Sequence, residues 1–126
     1  MRREAWSISA RLAWHRPRFR ALTLLLLVGV TLVNLFFLVK TVPVVREATT
    51  AAIHYNVYLG IDDVRDWAWI FLWPAIWEAT IFAGLGVALG VYQKDTLLSY
   101  GVLGWLWLWS APWFIGLMYL LQFNTR

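Results

Sequence analysis

Three apolar runs, Ala21 to Val39, Trp67 to Tyr92 and Leu97 to Leu121, contain between them a single charged side chain, Glu78. At about 1.5 Å of rise per residue, each run matches the ~30 Å hydrocarbon core of a bilayer. The economical reading is an all-α membrane protein with three transmembrane helices, about 21–40, 67–92 and 97–121. The composition agrees: 61% of the residues are hydrophobic and 14% charged, with a mean hydropathy of +0.62, which is more apolar than soluble domains normally are. A soluble bundle of buried helices is the alternative, disfavoured by the length of the runs. The 126 residues supply one integral membrane domain, residues 1–126. The absence of cysteine excludes disulfides, thiolate metal sites and cysteine nucleophiles.

The basic residues are unevenly placed. Arg2, Arg3, Arg11, Arg16, Arg18 and Arg20 precede the first span, and Lys94 lies in the short link between the second and third, on the same side. Lys40, Arg46, Arg65 and Arg126 fall on the other side. This bias predicts a cytoplasmic N-terminus and an external C-terminus, with a bacterial inner membrane as the expected location. A nucleic-acid-binding arm is the rival explanation. Attraction of the arginines to anionic lipid accounts for them without that partner. Within this flank Trp6, Ala10, Ala13 and Trp14 recur at helical spacing opposite Ser7 and Arg11, which predicts a short N-terminal interfacial helix ended or bent at Pro17. The basic flank and first apolar run resemble a signal sequence. No small-x-small cleavage site follows promptly, so the expectation is a retained anchor.

Between the first two spans, residues 53–61, IHYNVYLGI, alternate Ile53, Tyr55, Val57, Leu59 and Ile61 with His54, Asn56, Tyr58 and Gly60. The period of two predicts an extended external segment at about 53–61. One or two helical turns are expected just before it, within 46–52. Asp62, Asp63 and Asp66 follow, where they would favour the N-terminus of the second span. The string His54-Tyr55-Asn56-Val57-Tyr58-Leu59-Gly60-Ile61-Asp62, set after a first anchor helix and before two further spans, resembles a group of small uncharacterised bacterial membrane proteins carrying an HYN-x-Y-x-GID segment. The resemblance implies no activity. It marks His54, Tyr55, Asn56, Tyr58 and Asp62 as candidate functional residues of the external segment.

Glu78 lies about eleven residues, or ~16 Å, into the second span, near mid-membrane. No Lys, Arg or His occurs in the three apolar runs to pair with it. Desolvation then favours the protonated carboxyl, and such a group is a functional candidate by default. Ser110, at similar depth on the third span, and Asn34 on the first are the other intramembrane polar candidates. An interhelix clasp is favoured over a proton relay. Ala75, Ala79, Ala83, Gly86 and Gly90 form a small-residue stripe on the second span, and Gly101 and Gly104 a patch on the third. Close packing of the two spans as an antiparallel hairpin is expected along them, with homo-oligomerisation as the sharper alternative.

Ten tryptophans are present. Some suit an interfacial belt, but Trp69, Trp73 and Trp77 share a helical face, and Trp105 and Trp109 also lie deep. These faces suit a partner subunit, a lipid, or a flat apolar ligand such as a quinone, carotenoid or chlorin. The histidines, His15 and His54, lie outside the spans, so no haem or metal ligation is expected within them.

No catalytic constellation emerges. The GLGVALG string lies inside an apolar run and lacks the strand and lysine of a phosphate loop. His54 with Asp62 and Asp63 is a weak metal pattern. The leading expectation is therefore a non-catalytic accessory or assembly subunit of a larger membrane complex. An oligomeric transporter or proton-coupling protein using Glu78 comes second, and a membrane-surface enzyme using His54 and the aspartates third. The expected partners are the bilayer and other membrane subunits or further copies of the chain, with no nucleic acid.

Overall fold

A computed structural model describes residues 2–126. It is mostly helical, 79%, in the order α1 (Arg2–Trp14), α2 (Pro17–Ala48), β1 (Thr50–Asn56), β2 (Gly60–Asp66), a 3₁₀ turn (Trp67–Phe71), α3 (Leu72–Val91) and α4 (Thr96–Asn124). Three helical stretches, Pro17–Ala48, Trp67–Val91 and Thr96–Asn124, are long and apolar enough to cross a membrane. The expectation of an all-α chain needs one correction, because β1 and β2 pair as an antiparallel two-stranded sheet. The chain packs as two compact units, one from the residues through Val30 with Glu78–Ser110, the other from Thr31–Trp77 with Ala111–Arg126.

In the first unit α1 packs on the C-terminal half of α3. The last carbonyls of a helix lack intrahelical donors, and α1 supplies one. The buried Ser9 hydroxyl donates to Leu89 O at 2.7 Å and accepts from Gln93 N at 2.9 Å, so it stands within what would be one helical hydrogen bond. Trp6 Nε1 donates to Gly86 O at 3.2 Å. Of the predicted apolar face of α1, Ala13 is fully buried, while Trp6 bonds to α3 and remains about half exposed. Pro17 opens α2, where its missing N–H costs nothing, after the turn at His15 and Arg16.

The link from α3 to α4 is as tight as its length requires. Lys94 and Asp95 N–H groups both reach Val91 O, at 3.0 and 2.9 Å. Asp95 then caps α4, its carboxylate accepting Leu98 N–H at 2.9 Å. Buried Ser99 ties the helices together by donating to Ala88 O at 2.6 Å. Phe19 of α2 meets Tyr92 and Tyr100 edge-on, with ring centroids 5.1 and 5.2 Å away.

The antiparallel pair of α3 and α4 does not use the small-residue stripe. Ala75, Ala79 and Ala83 are exposed, and a methyl group added at Gly86, Gly101 or Gly104 would meet nothing within 4 Å. Gly90 is close-packed, but against Trp6 of α1. The buried line on α3 is Trp77, Ile81, Leu85 and Ala88, continued by Tyr92 just past its end, offset two residues from the stripe and so about 200° around the helix. Larger side chains provide more dispersion contacts per position. The close approach between the two helices occurs at Gly84, where a Cβ would lie 2.5 Å from the side-chain atom Leu106 Cδ2.

In the second unit α2 continues to Ala48, past the expected end near residue 40, with Pro43 inside it. Buried Thr41 donates to Phe37 O at 2.6 Å, and Asn34 Nδ2 reaches Pro74 O at 3.4 Å. Pro74 is the third residue of α3, in the first turn, where no helical bond is lost. The expected second span thus begins as a 3₁₀ turn and becomes α-helical at Leu72.

These packings predict opposite outcomes for two neighbouring glycines. Alanine raises helix propensity at either site by roughly 1 kcal/mol. Gly84→Ala should nevertheless lower the detergent melting temperature, because buried Leu106 must move, whereas Gly86→Ala should leave it unchanged or raise it.

Candidate functional site

The expected single extended segment folds back on itself. β1 pairs with β2 from Thr50↔Asp66 to Asn56↔Gly60, which leaves Val57, Tyr58 and Leu59 as the hairpin loop. Two residues of the alternating string make the turn. Asn56 Oδ1 accepts Tyr58 N–H at 2.9 Å, an Asx-type turn. Gly60 has φ +77°, the left-handed conformation that closes three-residue hairpin loops and suits glycine. At the base, Thr49 has φ +63° and its carbonyl accepts Trp67 N–H at 3.2 Å.

The ladder is irregular between Ala52 and His54 and again between His54 and Tyr55. Ile53 has no partner in the register, and Trp73 Nε1 donates to its carbonyl at 2.6 Å. The Asn124 amide is matched to the Ala52 peptide, accepting its N–H and donating to its carbonyl, both at 2.8 Å, while also donating to Leu120 O at 2.9 Å. Tyr55 stacks on Phe123 at 4.3 Å and on Tyr119 at 6.4 Å. Ala51, Ala52 and Ile53 are buried. β1 is therefore fastened to α3 and α4 by hydrogen bonds and aromatic stacking.

The free side of the hairpin carries charge. His54 Nδ1 and Asp62 Oδ1 are 2.5 Å apart. Arg65 Nε lies 3.2 Å from both carboxylate oxygens of Asp63, and its guanidinium is 4.6 Å from the Trp69 ring centroid. Asp62, in hydrogen-bond contact with His54, and Asp63, paired with Arg65, are thus strand residues rather than helix-terminal charges. Asp66 immediately precedes the 3₁₀ turn but makes no side-chain cap. Among the described residues no group of three or more His, Cys, Asp or Glu is placed to hold a metal ion.

At the tip the pattern inverts. Val57, Tyr58 and Leu59 are 82%, 94% and 77% exposed. Three large apolar side chains thus project from a turn whose backbone is held on both flanks. Of the external candidates, the structure brings His54 and Asp62 together, gives Asn56 a turn-forming role, packs Tyr55 away and leaves Tyr58 free. Val57 and Leu59 join Tyr58, although the period of two set them in the opposite alternating set from Tyr58. Asn56 and Gly60, four residues apart, were the signal for a turn.

The tryptophan faces separate in the same way. Trp77 is buried and stacks parallel to Trp113 at 6.3 Å, and Trp73 meets Trp113 at 5.8 Å. Both belong to the packing of this unit. Trp105 and Trp109 stack on each other at 6.4 Å and face outward from α4. Glu78 is half-buried and not without a partner. Ser110 donates to Leu106 O of its own helix at 2.8 Å and has a further interaction. No family model, curated protein or solved structure matches the chain.

The Asn124 clamp has a direct test. Asn124→Ala strands the Ala52 N–H and C=O, and should cost about 1–3 kcal/mol of local stability. Amide exchange across 51–53 should quicken by ten-fold or more while exchange in α3 near Ser9 is unchanged. Unaltered protection at 51–53 would show that the stacking of Tyr55 suffices.

Proposed function

We propose that the chain is a membrane-embedded, non-catalytic accessory subunit that presents the hairpin tip to another protein. The observation that carries this reading is the contrast within one short segment. β1 is fixed by Asn124, Trp73 and Phe123, while the loop it supports exposes Val57, Tyr58 and Leu59 almost completely. An apolar cluster held in place in this way fits the anchor of a small interface, where a few large side chains carry most of the binding energy. Pre-ordering the loop reduces the entropy lost on docking.

Insertion is supported by the outward faces of the helices. In the most apolar window of each candidate span only 28%, 28% and 17% of residues are buried, and Leu25, Leu32, Phe82 and Leu108 are among those turned outward. Such surfaces suit lipid and not water. The arginine bias supports an N-terminus in the cytoplasm and a hairpin outside, in a bacterial inner membrane. A cysteine introduced at Thr125 should react with a membrane-impermeant maleimide in intact cells, and one at Ser7 only after lysis. The reverse pattern would invert the topology.

Docking is tested by a photo-crosslinking residue at Tyr58 in native membranes. Discrete adducts larger than the chain are expected, lost when Val57 and Leu59 are both changed to Ser. A crosslinker at Ser7 should not yield the same adducts. Recovery of lipid adducts alone from position 58 would replace the protein partner with the membrane surface. For the second reading, proton coupling through Glu78, Glu78→Gln is the discriminating variant. We expect normal assembly and unchanged adduct formation; a vesicle proton flux abolished by this change would promote the transporter.

A further inference from the structure

The N-terminal helix leaves a cleft that the hairpin function does not use. Ala10, Arg11, Trp14 and His15, on one side, and Leu89 of α3, on the other, enclose an open cleft of about 280 Å³. Its wall is almost entirely apolar, so a free anion would gain little by entering it. In the chain segment that lines it and continues into α2, the charge is one-sided. Arg11, Arg16, Arg18 and Arg20 are all exposed. The acidic residues of this end are Glu4, exposed on α1, and Asp95, whose carboxylate is occupied as the cap of α4.

An apolar trough whose lining residues include Arg11 and His15 matches an amphiphile with a negative head. Its volume lies just under the ~300 Å³ lower end of ordinary ligand sites. That suffices for part of an acyl chain and too little for a whole lipid. Being open, it lets the rest of such a molecule remain in the bilayer. The cleft is also held in shape, because Ser9 pins α1 to Leu89 O, the carbonyl of a lining residue.

We propose that this cleft binds one acidic phospholipid. The acyl chain lies against Trp14 and Leu89, and the phosphate is met by Arg11 and His15, with Arg16 near by in the chain. Charge-assisted hydrogen bonds from arginine to phosphate oxygens are among the stronger protein hydrogen bonds. The result is a site for a particular lipid class, beyond the diffuse attraction of a basic flank to an anionic leaflet. It rests on the reading that the chain is embedded in a membrane with this end at the cytoplasmic leaflet.

The test uses the full chain in a mild non-ionic detergent. Dioleoyl phosphatidylglycerol, dioleoyl phosphatidylcholine and inorganic phosphate are added separately, and retained adducts are counted by native mass spectrometry. One phosphatidylglycerol should be retained at about ten-fold lower concentration than phosphatidylcholine. Arg11→Ala, on an exposed side chain, should remove most of that preference. Leu89→Trp should block retention of either lipid by filling the trough, and Arg3→Ala should change nothing. The melting temperature of Leu89→Trp is compared with the parent to detect disturbed packing, and Arg11→Ala decides the matter alone if it has fallen.

Equal retention of the two lipids, or a preference that survives Arg11→Ala, overturns the proposal. Inorganic phosphate that binds or competes at comparable concentration overturns it in favour of a free-anion site. Carbonate extraction of native membranes keeps the premise separate. A chain released by carbonate refutes the membrane reading itself, whereas a carbonate-resistant chain with no preference for phosphatidylglycerol refutes only the lipid site.

Discussion

A chain this poor in polar side chains must still satisfy every main-chain group that its helices and strands leave open, and that constraint organises the structure. Orphaned N–H and C=O groups cost most where water is absent. Buried or partly buried polar atoms are accordingly directed at the backbone. Ser9 serves Leu89 and Gln93, Ser99 serves Ala88, Trp73 serves Ile53, and Asn124 serves Ala52. Each of these bonds also joins two elements, so satisfying the backbone and fixing the tertiary arrangement are accomplished by the same contacts. Apolar packing brings the helices together but is weakly directional; these bonds set which residues face one another.

The elements most legible in the sequence were those read from length and charge-free runs. Three long apolar helices, the short N-terminal helix and the sharp link at Lys94 and Asp95 all follow from spacing and composition. Less legible was anything that depended on which of two similar helical faces is chosen. The stripe Ala75–Ala79–Ala83 and the line Ile81–Leu85–Ala88 have the same periodicity, and nothing local distinguishes them. The choice is made by the partner helix and by one close approach at Gly84, information carried some twenty residues away at Leu106.

The hairpin was misread for a related reason. Alternation over 53–61 continues straight through the turn, so period two reports both strands but not the reversal between them. The local chemistry of Asn56 and Gly60 outweighs the pattern, since a turn needs only one left-handed residue and one side-chain acceptor. Conversely, the contact of His54 with Asp62 was visible as a pair of residue types and obscure as geometry. The strand irregularities at Ile53 and Asp62 set the alignment in which they meet.

The Asn124 clamp joins positions 72 residues apart in the chain. In a polypeptide made from its N-terminus at about 5–20 residues per second, Ala52 therefore waits roughly 4–14 s for the amide that will hold it. Over that interval the segment lacks the Asn124 amide that holds β1 in the finished fold. The fixing of β1 therefore follows the synthesis of α4. The clamp is in that sense a time stamp on the fold, set when α4 supplies Asn124.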